Sequence, residues 1–262
     1  MRAGDWLLIV ILALTGLVIL ADTLTGGGVQ AWAASDLSAV GRELGIALGW
    51  IGWALSPAAA LPLLAALWAI FATPPAAIIQ GLRLIIRIVD AVNSTIGDAV
   101  RWFALALVLV TSLIVIQRYV FGISITKLQE SVIYFHALLF LLSGAATLLA
   151  GGHVRVDILY AKLKPASKAW TDILGVYLAL IPMCWLILDT SRSYVGGAWR
   201  ILERSREGDG LPLVFVLKTA IPVFAVMMIA EGVAMAARGV LALADRKAPQ
   251  PALGDDPSRS AL

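Results

Sequence analysis

Gly151-Gly152-His153-Val154-Arg155-Val156-Asp157 is a dense polar string between two long apolar runs, Glu130 to Ala150 before it and Trp170 to Leu188 after it. A membrane-spanning helix needs about 20 mostly apolar residues, and both runs meet that length. The 262-residue chain around them is 60% hydrophobic and only 14% charged, with a mean hydropathy of +0.91. A soluble domain would be about half apolar and about a quarter charged. The chain therefore reads as an all-α integral membrane protein, and the polar string marks a place where it emerges into water.

Working outward from the string, four further runs complete a set of six: Trp6 to Ala21, Leu44 to Ala72, Trp102 to Val120 and Leu211 to Ala237. The first is short. The second carries Pro57 and Pro62, which predict a kink or a tilt. The last four runs form a four-helix transmembrane bundle over residues 102–243, and the first two form an N-terminal extension over residues 1–73. The tail, residues 244–262, turns rich in Pro, Ser, Asp and Ala from Ala248 onward, a composition expected to be disordered.

Residues 74–101 differ from all six runs. Ile78, Ile79, Leu82, Ile85, Ile86, Val89, Val92, Ile96 and Val100 recur at three- and four-residue steps. Gln80, Arg83, Arg87, Asp90, Asn93, Asp98 and Arg101 recur opposite them. This predicts one amphipathic helix, or two joined near Asn93-Ser94. It is too polar on one side to span and should lie as an arm in the membrane interface, with Arg83, Arg87 and Arg101 on its polar face.

Loop charge gives an orientation. With the N-terminus inside and six crossings, the inner segments hold Arg2, Arg83, Arg87, Arg101, Arg155, Lys162, Lys164, Lys168, Arg238, Arg246, Lys247 and Arg259. The outer loops hold Arg42, Lys127, Arg192, Arg200, Arg204 and Arg206. The two-to-one bias puts both termini in the cytoplasm, although residues 189–212 alone place four arginines outside. The first run is either a retained helix or a signal peptide cleaved near Ala31-Trp32-Ala33.

Ionisable groups inside spans need partners or a purpose. Arg118, Glu130, Asp189 and Lys218 fall at similar depth near the outer helix ends. Two cations and two anions there suggest a neutralised rim tying the bundle, with snorkelling to the interface as the plainer alternative. Glu231, nearer the inner half of the last run, would face a partner or cap a tilted helix. His136 should hydrogen-bond a neighbouring helix. Ala137, Ser143, Gly144, Thr147 and Gly151 make a small-residue face suited to close packing or to docking.

Several functional classes lack their residues. The only cysteine, Cys184, sits inside an apolar run and should be a small buried hydrophobe. His136 and His153 lie on one segment about 25 Å apart if helical, too far to ligate one haem in a single copy. No zinc spacing, phosphate loop or Ser-His-Asp set is present, so the sequence points to no enzyme, cofactor or metal, and a net charge of +3 does not suggest nucleic acid.

The inner string has a physical reading of its own. Its glycines end a span, and in an extended stretch His153, Arg155 and Asp157 share one face while the valines take the other. Asp157 is placed to cap a short helix from Ile158 to Leu163. Arg155 and the nearby lysines would meet lipid phosphates, or the string would anchor against the arm or a partner.

These features occur in a recognisable order. An amphipathic lead-in precedes a helix ending in Arg118-Tyr119-Val120-Phe121-Gly122. Glu130 opens the next span, and Gly152-His153-Val154-Arg155-Val156-Asp157 fills the inner loop. A glycine-rich approach to Pro212 then leads to a last span with Lys218 and Pro222. From about Leu84 to Leu243 the chain resembles the DctQ-like small membrane subunit of the tripartite ATP-independent periplasmic (TRAP) transporters. The resemblance implies a non-catalytic scaffold in the bacterial inner membrane. Its partners would be a large multi-span permease subunit driven by a sodium gradient and a periplasmic binding protein that delivers an organic acid-type solute. The two N-terminal runs depart from the usual four-helix pattern. Two other functions stay open on the residues alone, a stand-alone small transporter or channel and a membrane anchor for a redox complex.

Overall fold

The computed structural model describes residues 2–72, 74–153 and 160–244, and these are helical with no strand among them. The elements are α1 (Ala3–Leu24), α2 (Gly28–Phe71), α3 (Ala76–Val100), α4 (Trp102–Val120), α5 (Thr126–Leu149), α6 (Pro165–Gly175), a π-helical turn (Val176–Leu180), α7 (Ile181–Arg200) and α8 (Val214–Leu243). The tail from residue 245 onward, and Arg155 and Asp157 of the inner string, lie outside the described residues.

Local chemistry sets most of the boundaries. Asp5 accepts the Arg2 backbone N–H at 2.8 Å and so caps the start of α1. Gly26 and Gly27 take positive φ and turn the chain into α2. α6 begins with Pro165 at its first helical position, where a missing N–H costs nothing. α5 ends in a Schellman closure. Gly151 sits at φ +67 and donates to the Leu148 carbonyl at 3.0 Å, while Gly152 donates to Thr147 at 2.9 Å. The two glycines of the inner string thus terminate the helix before it.

Among the described residues, five helical stretches are long and apolar enough to cross a membrane: Ala3–Leu24, Ala76–Val120, Thr126–Leu149, Pro165–Arg200 and Val214–Leu243. The second apolar run of the sequence appears among them only as a shorter apolar stretch, Pro57–Phe71, within a 44-residue helix that continues through both prolines. Arg101 keeps helical dihedrals, so α3 leads into α4 without a loop. The amphipathic stretch is one helix, not two.

The chain divides into two compact units. One comprises Met1–Ile51, Thr95–Ser143 and Asp189–Val223, the other Gly52–Ser94, Gly144–Leu188 and Phe224–Leu262. In the first, Trp199 meets Phe215 edge to face at 4.9 Å and donates its indole N–H to Thr219 Oγ1 at 2.8 Å. Phe103 and Phe135 pack at 5.6 Å.

The second unit holds the buried core. Leu82 and Ile86 of α3 pack with Ala65 and Ala66 of α2, Ile173 of α6, Val176 of the π turn, and Ala234, Ala237, Val240 and Leu241 of α8. Small residues on α8 allow this closeness. A Cβ on Gly239 would stand 3.0 Å from Ile173 Cγ1, and one on Gly232 would collide with Leu180. Gly144 of α5 faces Phe224 of α8 at 2.8 Å by the same measure, so at that position the small-residue face packs within the chain. Cys184 is buried.

α3 has two kinds of apolar side chain. Leu82 is fully buried, whereas Leu84 is 54% exposed. Truncating a buried leucine costs about 2–5 kcal/mol, and an exposed one far less. Leu82→Ala is therefore expected to lower the thermal unfolding midpoint in detergent clearly, and Leu84→Ala to leave it nearly unchanged. Equal shifts would mean that α3 does not dock through this face.

Candidate functional site

Polar side chains gather in three places, one in the second unit and two in the first. The most enclosed joins α3 and α8. Glu231 is 1% exposed. Its Oε1 accepts Arg238 Nη1 at 2.9 Å, and its Oε2 accepts Asn93 Nδ2 at 2.8 Å. The other guanidinium arm, Nη2, pairs with Asp90 Oδ1, and Asp90 is itself buried. Arg238 Nε is buried with no hydrogen-bond partner among the described residues.

This geometry corrects two expectations. Glu231 does not face outward or cap an aqueous end; it is enclosed within its own chain. Asp90 and Asn93 do not join the polar face of the arm. They lie four and seven residues after Ile86, which brings them onto the inward stripe. Asp98 is buried as well, while Gln80, Arg83, Arg87 and Arg101 are exposed. Arg83 and Arg87 make no ion pair among the described residues.

The second cluster lies where residues 201–213 connect α7 to α8. Glu130 near the start of α5 accepts the Ser205 hydroxyl and, at 2.5 Å, the Leu211 backbone N–H. Lys127 pairs with Asp209 at 2.7 Å. Lys218 pairs with Glu203 at 2.5 Å and lies 3.9 Å above the Tyr194 ring. Leu202, just after α7, is held at φ 45, an unfavourable conformation for a branched side chain.

Of the four rim residues, Glu130 and Lys218 thus belong to this connection, but none of the four pairs with another. Arg118 and Asp189 are exposed and make no ion pair among the described residues. Depth along the helices brings such groups to one level, whereas pairing depends on rotation about each helix and on the loop between. Glu203 supplies the counter-charge for Lys218.

The third cluster surrounds Arg101, which pairs with Asp98 at 3.2 Å and Asp5 at 2.7 Å. Elsewhere, His153 is exposed, and its Nε2 lies 3.3 Å from the Gly144 carbonyl oxygen. His136 is exposed and has no hydrogen bond to a neighbouring helix among the described residues. No three His, Cys, Asp or Glu side chains converge as a metal-holding group among the described residues.

The fold is that of a multi-pass helical membrane protein whose enclosed charges are engaged with one another. Residues 107–242 match the family model for tripartite ATP-independent periplasmic transporters, DctQ component. The match spans just over half of the chain, which therefore belongs to the DctQ family and is a small membrane subunit of a TRAP transporter. It starts farther along than the motif-based resemblance, so α1, α2 and α3 lie outside it. No curated protein and no solved structure matches the chain.

Removing one partner from a buried charge cluster costs about 3–5 kcal/mol, because it strands an uncompensated charge. Arg238→Met should produce a loss of that order in thermal or denaturant unfolding. Arg238→Met with Glu231→Gln should recover part of it. Arg118→Leu is expected to change stability by no more than about 0.5 kcal/mol, as usual for surface positions.

Proposed function

We propose that this chain is a non-catalytic scaffold that braces the large permease subunit of a sodium-coupled TRAP transporter in the bacterial inner membrane. A periplasmic binding protein brings an organic acid-type solute, and the large subunit carries it. The observation that carries this reading is the DctQ family match over residues 107–242, which takes in α4 to α8 almost whole.

The polar chemistry supports the same reading. A solute or ion path needs polar groups left available along a span. Asp90, Asn93, Glu231 and Arg238 bond to one another instead. Large apolar side chains such as Val108, Leu109, Phe140, Leu178 and Trp185 face outward on α4, α5, the π turn and α7, as lipid or a membrane partner requires.

In this account both termini are cytoplasmic, as the basic-residue bias favours. Arg83 and Arg87 project from the arm toward lipid headgroups. The inner string, with His153 and Arg155, anchors that side, and the connection held by Glu130 and Lys218 faces the periplasm.

Co-expression with a large TRAP permease subunit should give a stable membrane complex, and liposomes holding the two membrane subunits should take up solute when the binding protein is added outside and a sodium gradient is applied. Liposomes holding this chain alone should show no solute flux. Solute-specific flux through the single chain would overturn the scaffold reading and support a stand-alone carrier.

A further inference from the structure

We propose that the N-terminal extension is retained in the mature subunit, and that the first turn of α1 is a latch holding the junction between α3 and α4. This rests on contacts of the extension itself and does not depend on the scaffold reading.

α1 is exposed along nearly its whole length; its only buried residue is Gly4. A side chain there would have no room. An added Cβ would overlap the Thr95 carbonyl oxygen, and it would lie 2.5 Å from the Ala99 backbone nitrogen and 2.6 Å from Asp98 Cβ. Two of those three obstacles are backbone and cannot swing aside. The close approach of the helices thus requires glycine at position 4.

Around this contact, two aspartates and two arginines interlock. Arg2 Nη1 donates to Asp98 Oδ1 at 2.9 Å. Arg101 donates from Nη1 to Asp98 at 3.2 Å and from Nη2 to Asp5 Oδ1 at 2.7 Å. Asp5 Oδ1 also accepts the indole N–H of Trp102 at 2.9 Å, while Oδ2 accepts the Arg2 backbone N–H. The formal charges cancel, and Asp5 ties α1 to both residues of the α3–α4 junction. Without α1, buried Asp98 would keep only Arg101 of its two cations, and the Trp102 N–H would lose its acceptor.

The second helix of the extension is seated as well. In the first unit, a Cβ on Gly41 would stand 2.6 Å from the Trp199 ring. In the second unit, Tyr177 donates its hydroxyl hydrogen to the Ala59 carbonyl at 2.6 Å, and Ala65 and Ala66 are buried in the core. These are fitted contacts in both units, made by residues beyond the family match. A leader removed after insertion would take the latch with it.

Two measurements on the full chain, tagged at its C-terminus and purified from membranes, test this. Intact mass and N-terminal sequencing should find residues 2–24 present; a mature N-terminus beyond Leu24 would overturn retention. Hydrogen exchange at residues 95–102 should then quicken by roughly tenfold or more in Gly4→Leu, reflecting a lost local protection. Asp5→Asn, a milder change that keeps the shape, should quicken it to a lesser degree. Exchange near Tyr177 should stay as in the wild type in both. If Gly4→Leu does not fold, Asp5→Asn carries the test, and unchanged exchange at residues 95–102 in that variant would overturn the latch.

Discussion

The Arg238 guanidinium, gripped between Asp90 and Glu231, is the constraint from which the second unit follows. An arginine in an apolar setting is costly unless carboxylates meet it with good geometry, and two buried carboxylates are as costly without it. The three groups reside on two helices, so α3 and α8 are stable only in one axial position and one rotation. Asn93 completes the arrangement by filling the second oxygen of Glu231. With that register set, Leu82 and Ile86 fall against the alanine-rich face of α8, and Ile173 and Val176 close the same core. Apolar packing alone would tolerate a slipped register far better than a buried charge does.

The π turn at Val176–Leu180 fits the same constraint. A π turn inserts an extra residue into a helix and shifts the side chains that follow it. Here Val176 and Leu180 bracket the turn, and both approach Gly232, which sits beside Glu231 on α8. Small residues on α8 thus accept the widened helix where the charge cluster already fixes its position. In the first unit, carboxylates serve differently. Glu130, Glu203 and Asp209 hold the α7–α8 connection by a backbone N–H, a hydroxyl and two lysines, while Arg200, Arg204 and Arg206 stay exposed. The acids are spent inside the subunit. The arginines remain at its surface.

Much of the architecture is readable in the sequence because it depends on local chemistry. Apolar length marks five of the six runs as helices long enough to span, the three- and four-residue spacing marks α3, and Gly151-Gly152 marks the end of α5 through a backbone conformation that glycine favours. The family is readable because the polar string occurs between spans in a fixed order. What escapes is anything set by rotation and distance. Asp90 and Asn93 look like members of a solvated face until α8 supplies a cation opposite them. Glu203 looks like a loop acid balancing loop arginines, yet it meets Lys218, fifteen residues on. Gly4 and Asp5 look unremarkable, since their partners lie more than ninety residues away. A signal existed for one of these. Glu231 and Arg238 are seven residues apart, two turns along one face of an apolar helix, a spacing that suggests a shared partner.

The most direct test is a double-mutant cycle between Asp90 and Arg238, using Asp90→Asn and Arg238→Met singly and together, read by reversible unfolding of the purified subunit. Groups that share a buried network couple by about 0.5–3 kcal/mol, whereas independent sites add. The account predicts a coupling of about 1 kcal/mol or more, with the double variant less damaged than the two single losses combined. Strict additivity would show that α3 and α8 are not held by this charge and would contradict the account.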